Sequence, residues 1–219
     1  EDQIKELNEI AKTGVDAVIL ITNRLAKEGE DDAVWIENCK KILDNLGYAI
    51  PLGFYECPYP YKRLMSPETI SWCASTGRFY FLKDTCCDID QIKEKLKIIK
   101  GTNLKLYNAN TTTLLESLKE GAAGFSGVMA NFHPQIYTWL CEHYTEEKAG
   151  EVSDFLTIAS LIERQYYPVN AKYYLSEIEG LHITTNSRVK EKEGLTNTYK
   201  EEVQALNRLE KRINEIVSE

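Results

Sequence analysis

Five times in succession an amphipathic stretch runs into a glycine and a short apolar run follows. Gly14, Gly47, Gly77, Gly101 and Gly121 precede the runs Ala17–Thr22, Ala49–Tyr55, Phe79–Lys83, Leu104–Tyr107 and Gly124–Ala130. Glycine closes a helix at little cost because it tolerates positive φ. Apolar runs without polar alternation suit strands whose sheet is covered on both faces. Helix starts are marked as well. Ser66-Pro67 sets a cap before a first-turn proline, and Asp88 stands three residues before Gln91, the spacing of a capping box. Ile89, Ile92, Leu96 and Ile99 then fall on one helical face. Helices alternating with parallel strands place the chain in the α/β class.

Beyond Ala130 the rhythm changes to helices. The pattern predicts one from His133-Pro134 to about Lys148, others over 153–165 and 170–179, a polar stretch to Gly194, and a last helix over 196–217. That last helix carries the apolar stripe Leu206, Leu209, Ile213 and Ile216. The expected division is residues 1–131 as β/α units and residues 132–219 as C-terminal helices packing on them. A net charge of −8 without basic clusters argues against nucleic acid as a partner. No apolar run reaches the length of a membrane span. From the charged start Glu1-Asp2-Gln3 no signal peptide is expected, and the six scattered cysteines contain no CxxC pair. A cytoplasmic protein is expected. His133, His143 and His182 are not at metal-ligand spacing, so neither a metal nor another cofactor is expected.

Covered parallel strands leave an open doubly wound sheet or a (β/α)8 barrel. The Gly-rich turn of a dinucleotide fold and the Walker phosphate loop are both missing from the sequence. Polar residues gather instead at strand C-termini, where a barrel keeps its chemistry: Tyr55-Glu56-Cys57-Pro58, Lys83-Asp84-Thr85, Tyr107-Asn108-Ala109-Asn110-Thr111 and Ser126-Gly127. Lys83, ending a buried run, has two readings that the strand alone leaves open. Desolvation can lower its pKa and make it a nucleophilic amine, or it can snorkel to solvent or pair with Asp84. Tyr55 has the lesser alternative of a core aromatic, Asn108 and Asn110 could equally be helix caps, Ser126 a packing residue, and Cys57, Cys86 and Cys87 are expected to be small buried hydrophobes.

The runs Gly53-Phe54-Tyr55-Glu56-Cys57-Pro58, Phe81-Leu82-Lys83-Asp84 and Gly121-Ala122-Ala123-Gly124-Phe125-Ser126-Gly127 resemble the dihydrodipicolinate synthase / N-acetylneuraminate lyase family. The resemblance implies a (β/α)8 TIM barrel with about five β/α units in this chain, and a class I aldolase or lyase acting on pyruvate or another 2-keto acid. It makes Lys83 the Schiff-base lysine and Tyr55 the proton-shuttling acid/base. Asn108, Asn110 and Thr111 would contact the variable part of the substrate, and Ser126 would lie near the pocket wall. A homo-oligomer is expected.

The chain also departs from that family. It starts in the helix before the family's fourth strand, so the loop that binds the keto-acid carboxylate is not among its residues, and five strands do not close an eight-stranded barrel. On this ground the 219-residue form is expected to be inactive alone. A non-catalytic truncated barrel serving as an oligomeric scaffold or binding module is the alternative. Pro60 stands where the family often has an arginine, with Lys62 or Arg63 as replacement cations. The fourth-strand end reads Thr22-Asn23-Arg24-Leu25 where the synthases have interface tyrosines. The expected activity is therefore an aldolase, lyase or dehydratase of unassigned 2-keto acid specificity.

Overall fold

Strands follow one another across the sheet in the order in which the chain makes them. The computed structural model describes residues 2–218, and places β1 (Val18–Ile21), β2 (Leu52–Tyr55), β3 (Phe79–Asp84), β4 (Lys105–Asn108) and β5 (Gly124–Phe125) in one sheet of order β1-β2-β3-β4-β5. The pairings β1–β2, β2–β3 and β3–β4 are parallel. Helices α1 (Asp2–Lys12), α2 (Asp32–Asn45), α3 (Pro67–Thr76), α4 (Ile89–Ile99) and α5 (Leu114–Lys119) alternate with the strands. Helices α6 (Pro134–His143), α7 (Ala149–Glu163), α8 (Val169–Tyr173) and α9 (Asn197–Ser218) follow. Among the described residues no helix is long and apolar enough to cross a membrane. The chain divides into two units. One runs to Ala109 and takes back Glu120–Gly124; the other holds Asn110–Lys119 and the residues from Phe125 onward.

In the first unit the expected helix ends are made as the sequence suggests. Ser66 Oγ accepts the N–H of Thr69, and Gly77 closes α3 at φ 66°, in the region a β-carbon disfavours. Asp88 accepts from the N–H groups of Asp90 and Gln91. Gly47 differs from the expectation: α2 ends at Asn45, and the Gly47 N–H donates to Asn8 Oδ1 instead. One sheet face carries Leu20, Phe54, Leu82 and Leu106 into a core with Trp35, Ile70, Ile92 and Leu96. Phe79 joins that face through an irregularity in the β2–β3 register and stacks on Phe54 at 4.7 Å. On the other face Gly53 lies between its neighbours with no room for a side chain. An added Cβ would stand 2.7 Å from both Ile19 Cδ1 and the Phe81 carbonyl oxygen.

The second unit corrects several expectations. The run Gly124–Ala130 is strand only over Gly124–Phe125, because the chain turns into a 3₁₀ helix at Val128–Asn131. The helix from Pro134 stops at His143 and a new one begins at Ala149. Past Tyr173 the backbone widens into a π-helical turn over Tyr174–Ile178. On α9 Leu209 is 52% exposed, while Val203, Leu206, Glu210 and Ile213 turn inward. Glu210 is inward because of His133, which is wholly buried: Glu163 Oε1 stands 2.9 Å from its Nε2 and Glu210 Oε1 2.9 Å from its Nδ1. Tyr174 donates its hydroxyl to the other Glu210 oxygen at 2.6 Å. Burial alone would drive the imidazole neutral, but the two carboxylates hold its proton and push its pKa up to about 9.

Two outcomes are expected. Gly53→Ala lowers stability by about 1–3 kcal/mol, the usual cost of overpacking, whereas Gly150→Ala in α7, which meets nothing within 4 Å, is neutral or gains up to about 1 kcal/mol; chemical denaturation of the two variants checks the contrast. The second follows from His133, whose pKa is raised on folding from 6.5 to about 9. Its contribution is complete below pH 6.5 and is lost as pH rises through about 9. Melting temperatures measured across that window should fall with pH in the unchanged chain, and His133→Gln should flatten the slope.

Candidate active site

Strand register puts four side chains in a row. Ile21 pairs with Tyr55, Tyr55 with Lys83, and Lys83 with Tyr107. Residues opposite one another in a sheet share a face, so the row lies on the face turned away from the Phe54–Leu82–Leu106 core. Lys83 Nζ stands over the Tyr55 ring, 4.5 Å from its centroid. Burial lowers the Lys83 pKa below the ordinary lysine value, with Cys57 opposing the shift. Burial likewise raises the Tyr55 pKa, reinforced by Cys57. Tyr55 is accordingly a protonated phenol near neutral pH, able to donate. Tyr107, which sequence reasoning did not select, stacks on Phe81 at 4.7 Å beside the lysine.

Behind this row, on the helix-facing side, lies a cluster the sequence did not reveal. Glu56 and Asp84 immediately follow Tyr55 and Lys83 and are fully buried, and Lys95 of α4 is 4% exposed. Lys95 Nζ donates to Glu56 Oε1 at 2.7 Å and to Asp84 Oδ2 at 2.5 Å. Glu56 also accepts from the N–H groups of Met65 and Thr85, and Asp84 from the N–H of Cys86. Burial works against the Lys95 ammonium, but the two carboxylates prevail and hold it protonated. Glu56 is pushed upward by burial and pulled back by Lys95. The pairing of Asp84 is thus with Lys95; Lys83 turns the other way.

The segment after β2 is tied down by the end of β1. Asn23 Nδ2 donates to the carbonyls of Cys57, Tyr59 and Tyr61, and Thr22 Oγ1 to that of Arg63. Tyr61 returns its hydroxyl to the carbonyls of Asn23 and Ala26, while Tyr59 projects into solvent. Arg63 is engaged by Asp32 at 2.8 Å and by the Glu30 carbonyl. Lys62 reaches the Thr85 carbonyl, two residues past Lys83. Of the two replacement cations, Lys62 is the one at the lysine's strand end.

The remaining expected site residues are placed less uniformly. Asn108 is fully buried and pairs in register with Asp84, so it shares the helix-facing side and not the face of Lys83. Asn110, Thr111 and Ser126 belong to the second unit. There Asn110 Oδ1 accepts the N–H of Thr113, a helix-entry bond, and buried Thr111 Oγ1 lies 2.8 Å from the Tyr137 hydroxyl. Ser126 is half-buried just after β5. Cys57 and Cys86 are half-buried, whereas Cys87 is exposed with φ 60°, not the buried hydrophobe expected.

Comparison with known proteins gives this geometry a context. A model of the dihydrodipicolinate synthetase family matches residues 2–209. The 4-hydroxy-tetrahydrodipicolinate synthase of Staphylococcus epidermidis is 26% identical over 157 residues, covering 72% of this chain and 52% of that protein. The chain thus spans about half the length of the curated relatives it matches. Among solved structures, the dihydrodipicolinate synthase from Acinetobacter baumannii complexed with pyruvate is 21% identical, with a TM-score of 0.77 over 93% of this chain and 68% of that one. A prophage protein of the same family from E. coli, also in complex with pyruvate, is 16% identical, with a TM-score of 0.78 over 95% and 70%. These likenesses show the fold: α/β of the TIM-barrel type, with five of its strands here.

Proposed function

The chain belongs to the dihydrodipicolinate synthetase family, and from that premise we propose that it carries the Schiff-base centre of a lyase or aldolase acting on pyruvate or a related 2-keto acid. The observation that carries the reading is Lys83 Nζ held over the Tyr55 ring at adjoining strand ends, in surroundings that lower its pKa. A lysine amine attacks a carbonyl only when neutral, and desolvation raises the neutral fraction near pH 7. The amine lone pair attacks the keto carbon and the carbonyl oxygen departs as water. The protonated imine then accepts the electron pair released when a neighbouring C–C bond breaks, or gives it back when the bond forms.

In this reading Tyr55 is the general acid and base. Its raised pKa keeps the proton on the phenol until an oxygen of the substrate takes it, and the phenolate oxygen left behind is the natural acceptor when the proton returns. Lys62 is the cation for the substrate carboxylate, and Tyr107 supplies an aromatic wall next to the lysine. The pyruvate complexes of the two structural relatives support a small 2-keto acid as the ligand class.

Incubation of the chain with pyruvate and borohydride, followed by digestion and mass spectrometry, tests the proposal. The expected product is one reduced imine on Lys83, absent from Lys83→Arg. Tyr55→Phe should slow trapping by roughly 10²-fold, the lower end of what acid–base catalysis supplies. An adduct missing from Lys83, or spread over surface lysines, would falsify the assignment.

A further inference from the structure

We infer that Lys95, Glu56 and Asp84 form a positioning device for the reactive pair: one buried ammonium joins the ends of β2 and β3 and thereby holds Tyr55 and Lys83 against each other. The inference rests on the reading of Lys83 and Tyr55 as the reactive groups, and it concerns residues that touch neither substrate nor reacting atoms.

Pleating is the physical link. Successive residues of a strand point to opposite faces, so each reactive side chain is followed at once by a carboxylate aimed at the helix layer. Lys95 bridges those two carboxylates from α4, at 2.7 and 2.5 Å. The backbones are tied at the same level. The Glu56 N–H donates to the Lys83 carbonyl at 3.3 Å, Thr85 Oγ1 donates to the Glu56 carbonyl at 2.7 Å, and the Thr85 N–H reaches Glu56 Oε2 at 2.9 Å. A rotation or slip of either strand end would lengthen several of these bonds together.

An apolar plug could fill this volume at no greater cost, since replacing a buried ion pair by packed hydrophobic groups is often neutral or stabilising. Elsewhere the interior of the first unit is uncharged among the described residues, with Thr22, Asn23, Thr69 and Asn108 as neutral buried polar groups. Among its described residues, Glu56, Asp84 and Lys95 are the buried charged side chains, and they occur only behind the reactive row. Apolar packing is non-directional, whereas charge-assisted hydrogen bonds fix both distance and direction. Direction matters here because a misplacement of about 1 Å can cost on the order of 10²-fold in rate.

Two readouts separate this inference from the reading it rests on. Pyruvate trapping reports the reaction, and labelling of Lys83 by cyanate across pH, read by mass spectrometry without pyruvate, reports the state of the amine. In Lys95→Met, with folding verified by circular dichroism, pyruvate trapping should drop by about tenfold or more and the cyanate midpoint for Lys83 should move up toward that of an ordinary lysine. Lys95→Arg, which can still bridge two carboxylates, should recover most of both. A folded Lys95→Met with unchanged trapping and midpoint overturns the inference. Should Lys95→Met fail to fold, Thr85→Val decides. It cuts one tie and leaves every charge in place, so a smaller change in the same direction supports the device and no change overturns it. If the unchanged chain gives no pyruvate adduct, the functional reading fails, while the cyanate midpoints still show whether the cluster sets the environment of Lys83.

Discussion

The pleat at the end of β3 makes one strand serve two incompatible environments. Lys83 and Asp84 are neighbours in the chain but face opposite sides of the sheet, and the same holds for Tyr55, which ends β2, and Glu56, which follows it. The acidic side chains are drawn into the helix layer by Lys95, so the lysine and tyrosine are committed to the other face. Most features of the first unit's site follow from that commitment. Tyr107 joins the row because it pairs with Lys83, and Asn108 leaves it because it pairs with Asp84.

Two lysines of the same unit illustrate how surroundings decide the charge state. Lys95 is the more buried, yet it stays protonated because two carboxylates lie within hydrogen-bond distance. Lys83 is less buried but has an aromatic ring face and a cysteine in place of carboxylates, and desolvation prevails. A buried ammonium with partners is structural, whereas one without a carboxylate partner is poised for chemistry. The second unit applies the former rule again at His133, where Glu163 and Glu210 keep an otherwise unfavourable charge in the interior.

Much of this was legible in the sequence where the signal is local. The glycine-ended helices, the caps at Ser66 and Asp88, and the reactive positions at strand ends depend on residues close to one another in the chain. Lys95 was not legible, although it lies on the apolar face of α4 between Ile92 and Leu96. Its partners are 39 and 11 residues away, and a lysine is expected to be solvated unless a buried partner is known, even at a position that periodicity turns inward. Two carboxylates directly following two strand-end reactive residues were the available hint. The choice between Tyr107 and Asn108 needed the strand register to within one residue, since a slip of one exchanges the faces. Leu209 and Glu210 pose the helical version of that problem: both continue the stripe from Leu206, and only the buried His133 decides for the glutamate.

The central claim, that Lys83 is a desolvated amine set against Tyr55, is most directly tested by a pH titration of the lysine side-chain NMR resonances, with Lys83 assigned by its loss in Lys83→Arg. The expected result is a Lys83 pKa below the ordinary value of 10.5. Titration at or above that value would contradict the account.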